Sequence, residues 1–415
     1  MSAWERYWFG PIAAIRPYVL ERTVLFLLAL DVWTQCVPHG ARYGAGDFNV
    51  AHFAWLDAVQ PMPTPSLHVG LMLIVGGLAW VVACGAGGRP MRLLLAVLYT
   101  YGWAMSRLDA YQHHYLLSLL LAAFVFFPRV RATDSDVSAW AFVVVAANVA
   151  IVYVFAAVTK SEAAWASGGV LRQVTAGSGW FDAVWSRLLE TGVGEDTLWA
   201  TMARAVAVMQ VLIAVAYVVV VRSRRARWLA WGALAAAVGF HGSLLCFAVE
   251  IRWFSYYMIA IAAAFFAPEA WLRRLVAFAT VPARTIAWPT AVVVSSASCV
   301  VALVGFELDL PGATTAGALC GIALVAGALS DADAARARRR AVAAAAGALV
   351  LTAAVHVSPV RFQYYLYLVA DLQRRGAPAE VLAAYEKAEP YAPAGQSRLR
   401  QIEALRNAQR ARPAR

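Results

Sequence analysis

AFVVVAANVAIVYVFAAVTK, residues 141–160, is an uncharged apolar run closed by a lysine. As a helix, a run of this length reaches about 30 Å, the thickness of a bilayer's hydrocarbon core. The lysine is unusual for this chain. Only two occur, Lys160 and Lys387, against 33 arginines. Arginine stays protonated at any accessible pH, whereas a desolvated lysine can lose its proton and act as a base. Two readings follow. Lys160 either snorkels to the interface and marks where the membrane stops, or supplies a neutral amine to chemistry at the membrane boundary.

Outward from this run the pattern repeats. The 415 residues are 62% hydrophobic and 14% charged, with a mean hydropathy of +0.63. Soluble domains carry nearer a quarter charged residues, so the composition specifies a polytopic membrane protein. No alternating ten-residue strand pattern recurs, and the fold class predicted is an all-α helix bundle. About eleven membrane segments are expected, near 20–37, 65–85, 91–106, 112–128, 138–160, 197–221, 228–249, 253–269, 286–306, 312–330 and 341–357. The N-terminus shows no cleavable signal peptide. Trp4, Arg6, Trp8 and Phe9 resemble an interfacial amphipathic segment instead.

The net charge of +11 does not indicate nucleic-acid binding, because the arginines fall in short clusters between apolar runs. One set of connections holds 18 basic residues, including Arg222, Arg224, Arg225 and Arg227 and the group Arg336 to Arg340; the opposite set holds six. This asymmetry predicts a cytoplasmic N-terminus and, with an odd number of spans, an extracytoplasmic tail. Lys160, His113, His114 and His241 then lie at extracytoplasmic boundaries. Histidine is too short to serve as a boundary marker, so three segments delivering titratable groups to one side favour a site.

Residues 37–64, rich in Gly, Pro and aromatics, predict an ordered outer loop. WFDAVWSRLL (180–189) puts Trp180, Phe181, Val184, Trp185, Leu188 and Leu189 on one helical face. That face suits a helix lying in the membrane interface, and equally a lid. The cysteines at 84, 246, 299 and 320 read as core packing, with Cys36 left open. Metal binding is not expected, since no HxxxH or HxxE partner is in register. The chain divides into a membrane domain, 1–357, and a water-soluble helical tail, 358–415. Within the tail, RRGAPAEVLAAYEKAEPYAP (374–393) matches late positions of a tetratricopeptide-type repeat, while Tyr365 and Leu368 fit early ones. A lone hairpin of this kind cannot build a solenoid.

Three local motifs resemble those of the vitamin K-dependent γ-carboxylase-like proteins, also called the horizontally transferred transmembrane (HTTM) domain family. They are YQHHYLLSLLLA (111–122), FAAVTKSEAAWASGG (155–169) and GFHGSLLCFAVEIRWFSYYMIA (239–260), in the family's order and spacing. The first span with Asp31 and the stretch PTPS (63–66) also fit, and the resemblance covers roughly residues 5–270. In the carboxylases a lysine amine deprotonates a quinol, whose anion reacts with O2. The resulting alkoxide removes a γ-proton from a peptide glutamate, and CO2 adds to the carbanion.

The resemblance implies that Lys160 is the base. It implies that His113 serves the quinol oxygen and that His241 plays a supporting part. Gln112 stands where the carboxylases have asparagine; it keeps the amide but reaches farther. Gln112, Tyr115, Trp165, Phe254 and Tyr257 are the residues expected to bind the reduced quinone. Trp253, Phe254, Tyr256 and Tyr257 also suit an ordinary interfacial aromatic belt. The expected cofactors are a vitamin K hydroquinone-like quinol, O2 and CO2, with no metal. The expected location is the bacterial inner membrane, and the partners are lipids, the quinone and a secreted peptide or protein.

The carboxylases carry a large extracytoplasmic β-rich domain; here further small-residue spans and a helical tail replace it. This leaves open a non-enzymatic or peptide-maturation role, as in bacterial relatives that mature secreted toxin peptides. A proton-relay transporter is a weaker alternative, since the hydropathy pattern does not repeat between halves.

Overall fold

The computed structural model describes residues 2–45, 49–85, 88–109, 112–220, 227–246, 252–285, 358–393 and 395–410. Five helices are long and apolar enough to cross a membrane: Ile15–Arg42, Pro65–Ala83, Trp140–Thr159, Glu195–Val220 and Arg227–Cys246. The Val-rich run 141–160 forms the third of these, the lysine helix. β-branched residues would favour strands in water. In lipid, however, each backbone group must be paired within its own segment, and helix follows. The outward faces support that environment. Ile151, Val154, Phe155 and Val158 on the lysine helix are exposed, as are Val208, Val211, Leu212 and Val215 on Glu195–Val220. Aliphatic stripes at helical spacing on the outside of a protein suit acyl chains.

Three expected crossings come out short. Arg89–Ala104 has 16 residues, about 24 Å of helix; His113–Phe124 and Trp253–Phe266 are shorter still. Tertiary contacts set these ends. The loop before Pro65–Ala83 captures the last carbonyls of Arg89–Ala104. His52 N–H donates to Ala104 O at 2.9 Å, and the side-chain amides of Asn49 and Gln60 donate to Met105 O at 2.8 and 3.0 Å. Beyond the second helix, Pro128 disfavours the helical conformation at Phe127. The Arg16 guanidinium caps the third by donating to the carbonyls of Ala264 and Phe265 at 3.0 and 2.6 Å. The segments expected at 286–306, 312–330 and 341–357 lie outside the described residues, with Cys299, Cys320 and the arginines 336–340.

Beside the helices there is one short strand pair among the described residues. Pro11–Ala13 and Asp136–Ser138 form a two-stranded antiparallel ladder, with Ile12 opposite Val137. It pairs chain segments just before two helices, where backbone groups would otherwise lack partners.

The chain forms two compact units, each described on its own. The first comprises Met1–Leu27 and Leu119–Ala277. In it the lysine helix packs along Glu195–Val220, and Arg227–Cys246 packs along Arg252–Phe266. The helix Gly179–Leu189 turns Phe181 and Trp185 inward onto Trp199, leaving Trp180, Val184 and Leu188 outward. The expected single apolar face is therefore split between packing and exposure.

The second unit comprises Leu28–Ser118 and Phe278–Arg415. Here the first long helix passes through a π-helical stretch, Val32–Cys36. Trp33 of that stretch lies against Gly76 of Pro65–Ala83: a Cβ at Gly76 would stand 2.2 Å from Trp33 Nε1. Gly76→Ala is expected to destabilise the detergent-purified protein by about 1–3 kcal/mol through overpacking. The double variant Gly76→Ala/Trp33→Leu should recover most of that loss in thermal unfolding. The tail contains helix 358–374, Pro378–Ala388 and Leu399–Arg410, with a core of Val369, Val381 and Ala384. Gly376 makes the turn at φ +71°, and Ala388 is fully buried.

Candidate functional site

The lysine helix ends at Lys160, whose backbone N–H closes on Ala157 O at 3.1 Å. The Lys160 side chain is half-buried. Its Nζ donates to Ala156 O at 2.9 Å and lies 4.6 Å from the Trp165 ring centroid. Burial pushes the amine below the ordinary lysine range. The amine thus has an aromatic wall and a local carbonyl, and it gives up its proton more readily than a surface lysine. Trp165 is held by a short turn that runs into Gly168, at φ +82°. Gly168 sits so close to Trp199 that a Cβ would meet Trp199 Cβ at 2.5 Å and its carbonyl carbon at 2.6 Å. Glycine is required there on both counts.

Two helical turns before Lys160, on the same face of the helix, stands Tyr153. Its hydroxyl is 2.9 Å from Nε2 of His241, which is 1% exposed. The Phe254 ring meets His241 edge-on at 5.6 Å, and Tyr217 stacks beside Tyr153 at 6.1 Å. His241 Nδ1, Tyr217 Oη and Ser255 Oγ are buried and have no hydrogen-bond partner among the described residues. Buried polar atoms of this kind are expensive to leave unmet. Tyr257 is buried on the helix that carries Phe254.

Residues 18–271 match the family model for the HTTM domain. The chain belongs to the HTTM domain family. No curated protein and no solved structure matches it.

In the second unit of this HTTM protein, the tandem histidines divide. His113 Nε2 lies 3.9 Å from Asp31 Oδ2, whereas His114 Nδ1 is 2.7 Å from the Tyr99 hydroxyl. The His114 carbonyl accepts from Ser118 at 3.0 Å. Tyr115 is 54% exposed, with its ring against Trp103. The Gln112 side chain lies outside the described residues. No group of three or more His, Cys, Asp or Glu residues among the described residues forms a metal-binding cluster.

Of the residues singled out from the sequence, Lys160 therefore meets Trp165, and His241 meets Phe254. The sequence reading missed Tyr153, Tyr99 and the assignment of His114. Tyr153 had a signal, its seven-residue spacing from Lys160. Tyr99 had none, since only the fold brings it to His114.

Proposed function

We propose that this HTTM protein is an integral-membrane enzyme that deprotonates a reduced quinone at Lys160 for O2-dependent epoxidation. The observation that carries the reading is the half-buried Lys160 amine beside Trp165, on the helix that also presents Tyr153 to His241. A quinol is a lipid-soluble aromatic ring with two polar oxygens. Aromatic side chains at the end of a membrane helix suit its ring. A proton-accepting amine and an imidazole nitrogen without a partner among the described residues suit its oxygens. A quinol held there would supply the reducing equivalents for O2 and, through them, the strong base needed to remove a glutamyl γ-proton before CO2 adds.

The chain's own contributions are proton acceptance at Nζ, orientation, and exclusion of water by the apolar surroundings. His241 steadies its surroundings through Tyr153. By family resemblance, His113 serves the negative charge that develops on the quinol oxygen. The same reading includes eleven membrane segments in a bacterial inner membrane, a cytoplasmic N-terminus and a water-soluble extracytoplasmic tail.

A second reading, peptide maturation without catalysis, is supported by the tail, whose three helices enclose their own core. One experiment separates the two. Purified protein in proteoliposomes receives vitamin K hydroquinone, O2, labelled bicarbonate and a glutamyl peptide. Epoxide with fixed label is the expected result. Epoxide without label would restrict the activity to quinol oxygenation. Neither product, with the peptide retained on the protein, would favour the second reading.

A further inference from the structure

Helix Gly179–Leu189 carries two apolar faces. Phe181 and Trp185 are buried, with their rings against Trp199 at 5.8 and 3.9 Å. Trp180, Val184 and Leu188 follow one another at four-residue spacing along the outside and are between 40% and 50% exposed. Charge is distributed in step with that outer stripe. Arg187, three residues after Val184 and seven after Trp180, stands on its edge, whereas Asp182, Ser186 and Glu190 fall away from it. The packing on Trp199 also fixes the height of this helix, because Trp199 lies in the first two turns of Glu195–Val220. Nineteen residues further along that span, Val218 O accepts from the Tyr7 hydroxyl at 3.1 Å. This contact brings the N-terminal helix Ala3–Phe9, with its exposed Trp4 and Phe9, to the opposite end. Nineteen residues of helix span about 28 Å, close to the hydrocarbon thickness of a bilayer. The exposed Val208, Val211, Leu212 and Val215 lie between the two levels.

We propose that the outward face of Gly179–Leu189 docks on the lipid surface at the Lys160 end of the bilayer, with Trp180, Val184 and Leu188 at headgroup depth and Arg187 beside lipid phosphates. Two aromatic helices one hydrocarbon thickness apart mark two headgroup layers, since the amphipathic ring of tryptophan prefers that depth. One bilayer then covers this stripe together with the exposed aliphatic faces of the lysine helix and Glu195–Val220. An arginine on the edge of such a stripe lays its stem along apolar groups and reaches the phosphates, while acids on the other side stay in water. Trp199 also meets Gly168 through its backbone, so the docked helix and the lysine turn rest on one residue. The lipid contact holds whether or not the protein oxidises a quinol.

Nitroxide accessibility tests this in proteoliposomes of phosphatidylethanolamine and phosphatidylglycerol. The five cysteines of the full chain are replaced by serine, and Val184→Cys, Leu188→Cys, Ser186→Cys and Glu190→Cys are then made and labelled one at a time. The ratio of collisions with O2 to collisions with a water-soluble nickel chelate should be severalfold higher for Val184→Cys and Leu188→Cys than for the other two. Equal ratios at all four sites would overturn the proposal in favour of a face open to water, such as a lid. Labels at Val184→Cys and Leu188→Cys shielded from both reagents would overturn it in favour of a protein partner. If the cysteine-free chain does not accumulate, photocrosslinking of the otherwise unaltered protein decides. A p-benzoylphenylalanine in place of Val184 should give lipid adducts, and their absence would overturn the proposal. Arg187→Gln should lower the phosphatidylglycerol share of those adducts by up to about fivefold. An unchanged share would overturn the phosphate contact.

Discussion

Lys160→Met is expected to reduce quinol-dependent epoxidation by about a hundredfold to ten-thousandfold, the range over which a positioned base acts. Methionine keeps an apolar stem of similar length, so packing against Trp165 should survive and the variant should fold. Lys160→Arg is the sharper probe. It keeps a cation near the Trp165 ring and the Ala156 carbonyl, two contacts that the Lys160 side chain makes. Yet guanidinium holds its proton at every accessible pH. If the site needs only a positive charge, the arginine variant turns over and the base role fails. If it needs a neutral amine, both variants are inactive.

The pH profile of turnover reports the same base. The neutral amine is the working form, so the rate rises as pH climbs through the Lys160 pKa. Burial lowers that pKa, because desolvation penalises the ammonium. The rise is therefore expected at lower pH than an exposed lysine would give, and it should vanish in Lys160→Met. A flat profile in an active wild-type protein would contradict the assignment.

How far the sequence reaches can be judged residue by residue. The long crossings were legible because a bilayer imposes a crude requirement, an uninterrupted apolar run, and the Val- and Ala-rich runs meet it. Their ends were not. Arg89–Ala104 stops because Asn49, His52 and Gln60, about fifty residues earlier, take up the carbonyls at its end. A hydropathy count has no access to that. Arg16 likewise caps a helix more than two hundred residues away.

For the candidate site, Lys160 draws attention by its rarity in an arginine-rich chain, by its place at the end of an apolar run and by the motif around it. The identity of its surroundings was legible only in part. Trp165 is five residues on and follows from local geometry, whereas the Tyr153–His241 contact joins helices 88 residues apart. Tandem histidines show the limit most clearly. His113 and His114 have the same chemistry and neighbouring positions, and Asp31 and Tyr99, each from another helix, tell them apart.

Gly168→Ala is expected to have the second-largest effect, and it acts without touching a reactive group. Two costs combine. The backbone at φ +82° is left-handed, which a side chain resists by about 1–2 kcal/mol. The new methyl would also lie 2.5–2.7 Å from Cβ, C and O of Trp199, and two of those atoms are backbone that cannot swing away. Overpacking of that kind costs about 1–3 kcal/mol more. The turn from Lys160 through Trp165 is tied to Gly168 by the Gly168 N–H donating to Trp165 O at 2.8 Å. Relief of the clash should therefore shift the indole that faces the amine, and a displacement of about 1 Å at a working group can cost up to a hundredfold in rate.

Gly177→Ala is the matched control, because Gly177 has φ +78° but nothing within 4 Å of its Cβ position. It should show only the backbone penalty in thermal unfolding and should keep its turnover. If the two alanine variants lose equal stability and Gly168→Ala keeps full activity, the packing of this turn on Trp199 does not position the amine. If only Gly168→Ala loses turnover, the contact that holds Trp165 in place is part of what makes Lys160 a base.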